Sequence, residues 1–431
     1  MVNRFLDKAQ KVFKVDIRYV IKGNFWLNVN RVISIANGLI LSTAFARLLT
    51  KEDYGIYAFV LAIIGLISTP LTSGLGAGII KGVSRGNHMI IFEGMKRILP
   101  WSIGGGALLV LVGGYYGIMG NATLAICVAL GGLTLPVSVS NGIAKSFLSV
   151  KGDFDRLTRF NLWRTPLMTA ILVIAAWASS SPLIILIASI LGNTVISFSL
   201  YRNMRKSYSF DPQQTPSEGF ASRFAFHSTI LSMFGYLSEK IDNLLLWQLM
   251  GAAPVAAYTY ATTPVRELRS LLENQSVLAL PKFAQKELHE VRSNISRRIG
   301  QMYLIAIPLA GMYALFAPLI FRILFPQYID VVPISQLAAI SLLSAPRRLL
   351  NVSITAHQRV KESYITTIMP SMIRIILAMV FIPMFGITGA VIALLLTELS
   401  EYIILGILIK AAKPGTAKQA GESEKIDDTL I

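Results

Sequence analysis

The side chains able to do chemistry in this sequence sit where charge is least welcome. Stretches otherwise fit to cross a bilayer carry the cations Arg31, Lys240, Arg266, Arg269, Arg347, Arg348 and Arg374, and the anions Glu239, Asp242, Glu267, Glu273, Glu398 and Glu401. A charged group at the centre of a membrane helix costs at least ~2.5–3.5 kcal/mol, so each needs a partner, a wet cavity or a function. Arginine presents a planar fork of donors matched to phosphate. Carboxylates inside membranes commonly serve proton relays, which makes Asp242, Glu267 and Glu398 candidates for coupling to a proton or sodium ion.

Placement sharpens the set. Arg266, Arg269 and Glu273 follow one another at i, i+3 and i+7, a single stripe on a helix. Pro264 precedes the stripe by two residues, and Pro346 immediately precedes Arg347-Arg348. Interrupted helices beside charged groups point to a transport site. The second half of the chain holds nearly all of these charges, and the first half contributes only Arg31. The competing reading is that the charges staple helices together. Arg269 and Glu273 form an i,i+4 pair, and Lys240 has Glu239 and Asp242 beside it. Arg347 and Arg348 could snorkel to an interface. Arg374 has no carboxylate nearby in sequence, so a cavity or a partner helix must receive it.

Nothing in the sequence reads as catalysis. A G-x-x-x-x-G-K-[ST] phosphate loop is missing, which argues against ATP hydrolysis. The Gly104-Gly105-Gly106 run falls inside an apolar stretch, where small residues allow close helix packing. The single cysteine, Cys127, excludes disulfides and cysteine-based zinc sites. His88, His227, His289 and His357 are far apart, so no metal site is expected. The sequons at Asn121, Asn274, Asn294 and Asn351 fall mostly in spans or cytoplasmic loops and read as accidental.

The elements that must position these charges follow from composition. Of 431 residues, 54% are hydrophobic and only 15% charged, where soluble proteins carry about 25%. Apolar stretches near 24–47, 54–80, 98–119, 122–148, 161–178, 181–201, 224–250, 254–281, 299–321, 331–356, 364–383 and 386–409 approach the roughly 20 residues a crossing requires. Lipid-exposed backbone must satisfy its own hydrogen bonds, so they are predicted to be helices. The fold class is an all-α polytopic membrane protein with about twelve spans. Asn121, Ser179–Ser181, Gly251–Ala253 and Pro383–Gly386 are predicted as tight turns, and the alternate joints are basic. Arg47, Lys51 and Arg322 are the few cations on the opposite side. Basic loops lie in the cytoplasm, which places both termini there and explains most of the +17 formal charge without nucleic acid.

Ala44-Phe45-Ala46 mimics a signal-peptidase site, but the apolar region before it is too long and holds Asn28, Asn30 and Arg31. Residues 4–22 read instead as an interfacial helix, with Phe5, Val12, Phe13, Ile17 and Val20 on one face and Lys11, Lys14, Arg18 and Lys22 on the other. The predicted organisation is an amphipathic segment 1–23, a six-helix lobe 24–201, a linker 202–223, a second lobe 224–410 and a tail 411–431. The lobes repeat in parallel. At an offset of 201, Tyr57 falls on Tyr258, Lys81 on Lys282, Arg97 on Arg298 and Leu48 on Leu249. Parallel repeats are a transporter architecture.

The run Arg47-Leu48-Leu49-Thr50-Lys51-Glu52-Asp53-Tyr54-Gly55-Ile56-Tyr57-Ala58, followed by Gly74-Leu75-Gly76, resembles the opening of Wzx-type polysaccharide and O-antigen flippases of the multidrug/oligosaccharidyl-lipid/polysaccharide (MOP) exporter superfamily. Ile241-Asp242-Asn243-Leu244-Leu245-Leu246, Ala257-Tyr258-Thr259-Tyr260-Ala261, Leu280-Pro281 and Gly386-Ile387-Thr388-Gly389-Ala390 are similar to later parts of that family. The resemblance covers nearly the whole chain. It implies two six-helix lobes around a central cavity in a bacterial inner membrane, moving a polyprenyl-diphosphate-linked oligosaccharide for lipopolysaccharide, capsule or exopolysaccharide synthesis. The expected partners are that lipid-linked substrate, the membrane, and a polysaccharide polymerase and glycosyltransferases. No cofactor is expected beyond the coupling ion. The headgroup phosphates would then be held by Arg266 and Arg269 above all, with Arg31, Arg374, Lys240, Arg347 and Arg348 as further candidates. A cation-coupled drug exporter of the same superfamily is the alternative, but it should carry an acid in the first span, where this chain has Arg31. A membrane glycosyltransferase or polymerase would need carboxylates or histidines in a sizeable external loop, and such loops are nearly absent.

Overall fold

The computed structural model describes residues 17–84, 90–151, 153–207, 222–277, 288–356 and 360–411, and every regular element among them is helical. The first six helices are α1 (Ile17–Leu48), α2 (Lys51–Ser84), α3 (Ile90–Ile118), α4 (Ala122–Val150), α5 (Phe154–Ala178) and α6 (Pro182–Ser207). Then come α7 (Ser222–Met250), α8 (Ala252–Val277) and α9 (Leu288–Leu324). The tenth span is broken into a 3-10 turn (Pro326–Val331), α10 (Val332–Ala338), a second 3-10 turn (Ala339–Ser344) and α11 (Arg347–Ala356). The chain closes with α12 (Val360–Ala411). Residues 17–22 continue α1, while the rest of the expected interfacial helix and the 411–431 tail, apart from Ala411, lie outside the described residues.

Helix starts are set by the residues before them. Thr50 caps α2: its hydroxyl accepts a hydrogen bond from the Asp53 amide at 3.1 Å and donates to the Asp53 carboxylate at 2.6 Å. Asn121 caps α4 through the Leu124 amide, and Asp153 caps α5 through the Arg156 amide. Gly120 and Gly251 sit at positive φ in the two short joints, as turns of this tightness require.

The 52 residues of α12 would reach about 78 Å as one rod, far more than a bilayer needs. They do not form one. Gly386 adopts φ 57 and ψ −130, and a Cβ on Gly389 would lie 2.0 Å from the Phe381 carbonyl oxygen. Eight residues apart on a straight helix these groups would be about 12 Å apart, so the chain doubles back and α12 is two arms of a hairpin. Among the described residues eight segments are long and apolar enough to cross a membrane, and the hairpin accounts for two crossings. α1 supplies the shorter apolar run Val32–Leu48, and α7 and α8 are diluted by their own charges. Nine crossings and these three make the expected twelve.

The helices form two units, Met1–Tyr236 and Leu237–Ile431, with the division inside α7. In the first unit Phe45 of α1 and Leu49 just after it pack with Leu172 and Ala176 of α5 and Ile185 of α6, and Tyr57 of α2 meets the Phe45 ring edge-on at 5.2 Å. Gly106 of α3 and Gly132 of α4 bring two backbones into contact; a Cβ on Gly132 would lie 2.4 Å from the Gly106 carbonyl oxygen. That is the packing role expected of the glycine run. The first half of α7 is seated on α2 the same way, with Gly65 under the Tyr236 ring and Gly74 under Thr229. In the second unit Tyr260 of α8 stacks on Tyr328 at 4.0 Å, and Ser335 of α10 is buried between the Ala261 carbonyl and the Tyr313 hydroxyl. Pro264 was expected to break α8, yet the helix runs through it. Proline in a membrane helix is tolerated when neighbours occupy the freed backbone, and the Ser335 hydroxyl takes the Ala261 carbonyl next to that gap.

Candidate functional site

Arg374, on the first arm of α12, forms a salt bridge with Asp242 of α7, and both side chains are almost wholly buried. Tyr258 of α8 completes the group. Its hydroxyl donates to Asp242 Oδ2 at 2.6 Å and accepts from Arg374 Nη2 at 3.2 Å. Three helices thus converge on one carboxylate oxygen. The other, Asp242 Oδ1, and Arg374 Nη1 are buried with no hydrogen-bond partner. The cation with no carboxylate near it in sequence is received by a partner helix.

A second charge network joins α8, α11 and the second arm of α12. Arg269 is ion-paired with Glu398 and lies 3.4 Å from Glu273. One helical turn along α12, Glu401 takes Arg347 at 2.5 Å. Glu398 Oε2 is buried and unpartnered, so a carboxylate nearly closed off from solvent keeps an open acceptor. The stripe on α8 divides accordingly. Arg269 turns into this network, while Arg266 is exposed and donates to the Thr263 hydroxyl at 3.3 Å.

The remaining candidates are scattered. Lys240 is bound to Glu239 at 2.8 Å. Arg348 is exposed beside half-buried Arg347, and Glu267 is half-buried on α8. Arg31 belongs to α1, with its side chain outside the described residues. Among the described residues no cluster of three or more His, Cys, Asp or Glu is placed to hold a metal ion.

Sequence reasoning missed a pair in the first unit. Arg164 lies within the apolar stretch 161–178 and belongs with the intramembrane charges, so Arg31 is not the first half's sole contribution. Its Nη2 donates to Asn193 Oδ1 of α6 at 2.7 Å, and its Nε is buried without a partner. Lys145 of α4 is likewise half-buried inside its helix. The signal was present in the sequence: a charged residue inside the apolar stretch that begins at 161.

A profile described as "Polysaccharide biosynthesis protein" matches residues 44–333, well over half of the sequence. The chain belongs to this polysaccharide biosynthesis family. The family's fold here is that of the MOP superfamily. The lipid II flippase MurJ in an inward closed conformation is 14% identical, with 91% of this chain and 88% of that chain covered and a TM-score of 0.71. An inward-facing multidrug resistance MATE family transporter is 14% identical over 88% of this chain and 98% of its own, with a TM-score of 0.64. A MOP superfamily transporter from Pyrococcus furiosus is 15% identical over 90% and 96%, with a TM-score of 0.55. No curated protein matches the sequence.

Proposed function

We propose that the protein is a flippase that carries a polyprenyl-diphosphate-linked oligosaccharide from the cytoplasmic to the outer leaflet of a bacterial inner membrane, for O-antigen, capsule or exopolysaccharide synthesis. The observation that carries this reading is the polysaccharide biosynthesis match laid over a MOP fold with cations held inside its spans. The sugars cross by alternating access while the prenyl tail remains in lipid. Both termini are cytoplasmic. The chain acts as a transporter and not as an enzyme, handing its cargo to a polymerase after glycosyltransferases have built it. Arg266, exposed on the α8 stripe, contacts the headgroup, and the unpartnered oxygens of Asp242 and Glu398 are the acceptors for a coupling proton or sodium ion.

The test is complementation of a strain lacking its own flippase, supplied with defined lipid-linked glycans, paired with proteoliposomes holding a fluorescent lipid-linked oligosaccharide. Restored surface glycan and protein-dependent loss of the lipid from one leaflet are expected. Failure in both assays by folded, inserted protein would sink the flippase reading. Transport indifferent to imposed pH and sodium gradients would remove the coupling role of Asp242 and Glu398 alone.

A further inference from the structure

The outward faces of α5 and α6 are apolar along most of their length and turn positive at one end. On α5 the exposed residues Arg159, Trp163, Leu167, Ala170, Ile174 and Trp177 follow one another at three- and four-residue steps, a single stripe. The matching stripe on α6 is Leu191, Val195, Phe198, Arg202 and Lys206. Exposed columns this apolar, on helices long enough to cross a bilayer, are covered by lipid.

The stripe on α5 carries its own depth marks. Trp177, 79% exposed, closes it at the outer end, and Trp163, 45% exposed, stands one turn inside Arg159. Tryptophan gathers at the two membrane–water interfaces. Arg159 and Trp177 are about 27 Å apart along the axis at 1.5 Å per residue, close to the ~30 Å of the hydrocarbon core. Arg159 therefore stands at the phosphate level of the cytoplasmic leaflet. Two contacts set α6 against it. Arg164 donates to Asn193 at 2.7 Å, and a Cβ on Gly192 would lie 3.2 Å from the Met168 sulfur. Counted from either contact in antiparallel helices, Arg202 and Arg159 share one height to within about a turn. Phe198 and Trp163 are each one turn deeper in the lipid.

Charge at that height is mostly of one sign. Arg159 is ion-paired with Asp155 of its own helix, but its side chain is 72% exposed and such pairs hold weakly. A guanidinium has five N–H donors, more than one carboxylate takes up. Arg202 and Lys206 have no carboxylate partner among the described residues. Standing at i and i+4 on one face they repel each other, and an anion set between them relieves that repulsion. A glycerophospholipid with a net negative headgroup supplies phosphate oxygens at this depth, and its acyl chains continue along the apolar stripes. A zwitterionic headgroup brings an ammonium of its own to the same cations and fits less well.

We propose that the cytoplasmic ends of α5 and α6 bind an anionic phospholipid, its phosphate held by Arg159, Arg202 and Lys206 and its chains resting on Trp163 and Phe198. Basic clusters beside membrane helices on this side attract acidic lipid headgroups. The partner is a resident lipid of the cytoplasmic leaflet, so the site stands apart from the cargo and from the flippase reading. A lipid held by both helices ties α5 to α6 on the cytoplasmic side of the Arg164–Asn193 bond.

The experiment is fluorescence quenching of the full-length protein in phosphatidylcholine vesicles that contain either brominated phosphatidylglycerol or brominated phosphatidylcholine at equal mole fraction. The Trp163 signal is the difference between wild type and Trp163→Phe, a change that keeps a ring against Phe160. Brominated phosphatidylglycerol should quench it about fivefold more strongly than brominated phosphatidylcholine. Arg202→Gln with Lys206→Gln should bring that ratio close to one, and Arg159→Gln should lower it by about half. Lys96→Gln, exposed on α3 outside both stripes, should leave it unchanged. All four substituted cations are exposed, so the variants should insert and elute as wild type does. Equal quenching by the two lipids in wild type overturns the proposal, as does an undiminished phosphatidylglycerol preference in the variant lacking all three stripe cations. Loss of the preference on adding an equimolar polyprenyl diphosphate would show that the cargo holds these cations and would overturn the resident lipid. A preference that persists in protein unable to restore surface glycan leaves the lipid site standing and counts against the flippase reading alone.

Discussion

Arg374 and Asp242 are 132 residues apart in sequence and share a salt bridge buried among α7, α8 and α12. Neither residue has an alternative counter-charge adjacent in its own helix at that depth other than Lys240, which is engaged with Glu239. The pair therefore ties the last hairpin to the start of the second unit.

Removing one member of a buried pair strands the other and costs about 3–5 kcal/mol, whereas replacing both with apolar groups is often neutral. Arg374→Leu should lower the thermal midpoint of the detergent-solubilised protein sharply. Asp242→Leu with Arg374→Leu should recover most of the loss. A midpoint unchanged in the single variant would show that the pair contributes nothing to folding.

Arg269 separates the two readings of its stripe. With Glu398 and Glu273 both on it, Arg269→Ala should reduce the amount of folded protein recovered by size-exclusion chromatography, and adding Glu398→Ala should restore it. Arg266→Ala, at an exposed position, should leave that amount unchanged. Complementation by the restored double variant would show Arg269 to be a staple and not a headgroup contact.

Helix packing in the first unit is set by the Gly106–Gly132 approach. Gly132→Leu forces two backbones apart and should destabilise by more than the ~1–3 kcal/mol typical of overpacking. Gly104→Leu meets open space and should be silent. Equal melting curves for the two variants would contradict the α3–α4 contact.

Topology follows from the loop charges. Reporter fusions at Asp153, Asp211 and Gln419 should read cytoplasmic, and fusions at Asn121 and Gly386 should read external. A cytoplasmic signal at Gly386 would mean that α12 does not fold back at that glycine.

The number of spans and the turns between them were legible because hydrophobicity, glycine and capping residues act locally. Thr50, three residues before Asp53, marks the N-cap of α2, and Pro383–Gly386 marks the hairpin of α12. Pairing was legible only within one helix: the i,i+4 spacing announces Arg269–Glu273, but nothing near Arg269 names Glu398, and nothing near Arg374 names Asp242. Pro264 misled because a proline removes one hydrogen bond without dictating whether neighbours fill the gap. Arg164 was readable and was overlooked among the basic residues that flank its span.

Time of synthesis gives the α12 hairpin a meaning that the finished fold conceals. A chain made at about 5–20 residues per second exposes Asp242 to the translocation machinery for roughly 7 to 26 seconds before Arg374 exists. Arg269 waits for Glu398 across 129 residues in the same way. Until the last two spans arrive, the seventh and eighth carry unanswered charge, so an insertase or a neighbouring protein channel must shelter them. A nascent chain cut short before Val360 would hold those charges open, a mark by which membrane proteases could distinguish the unfinished product from the whole.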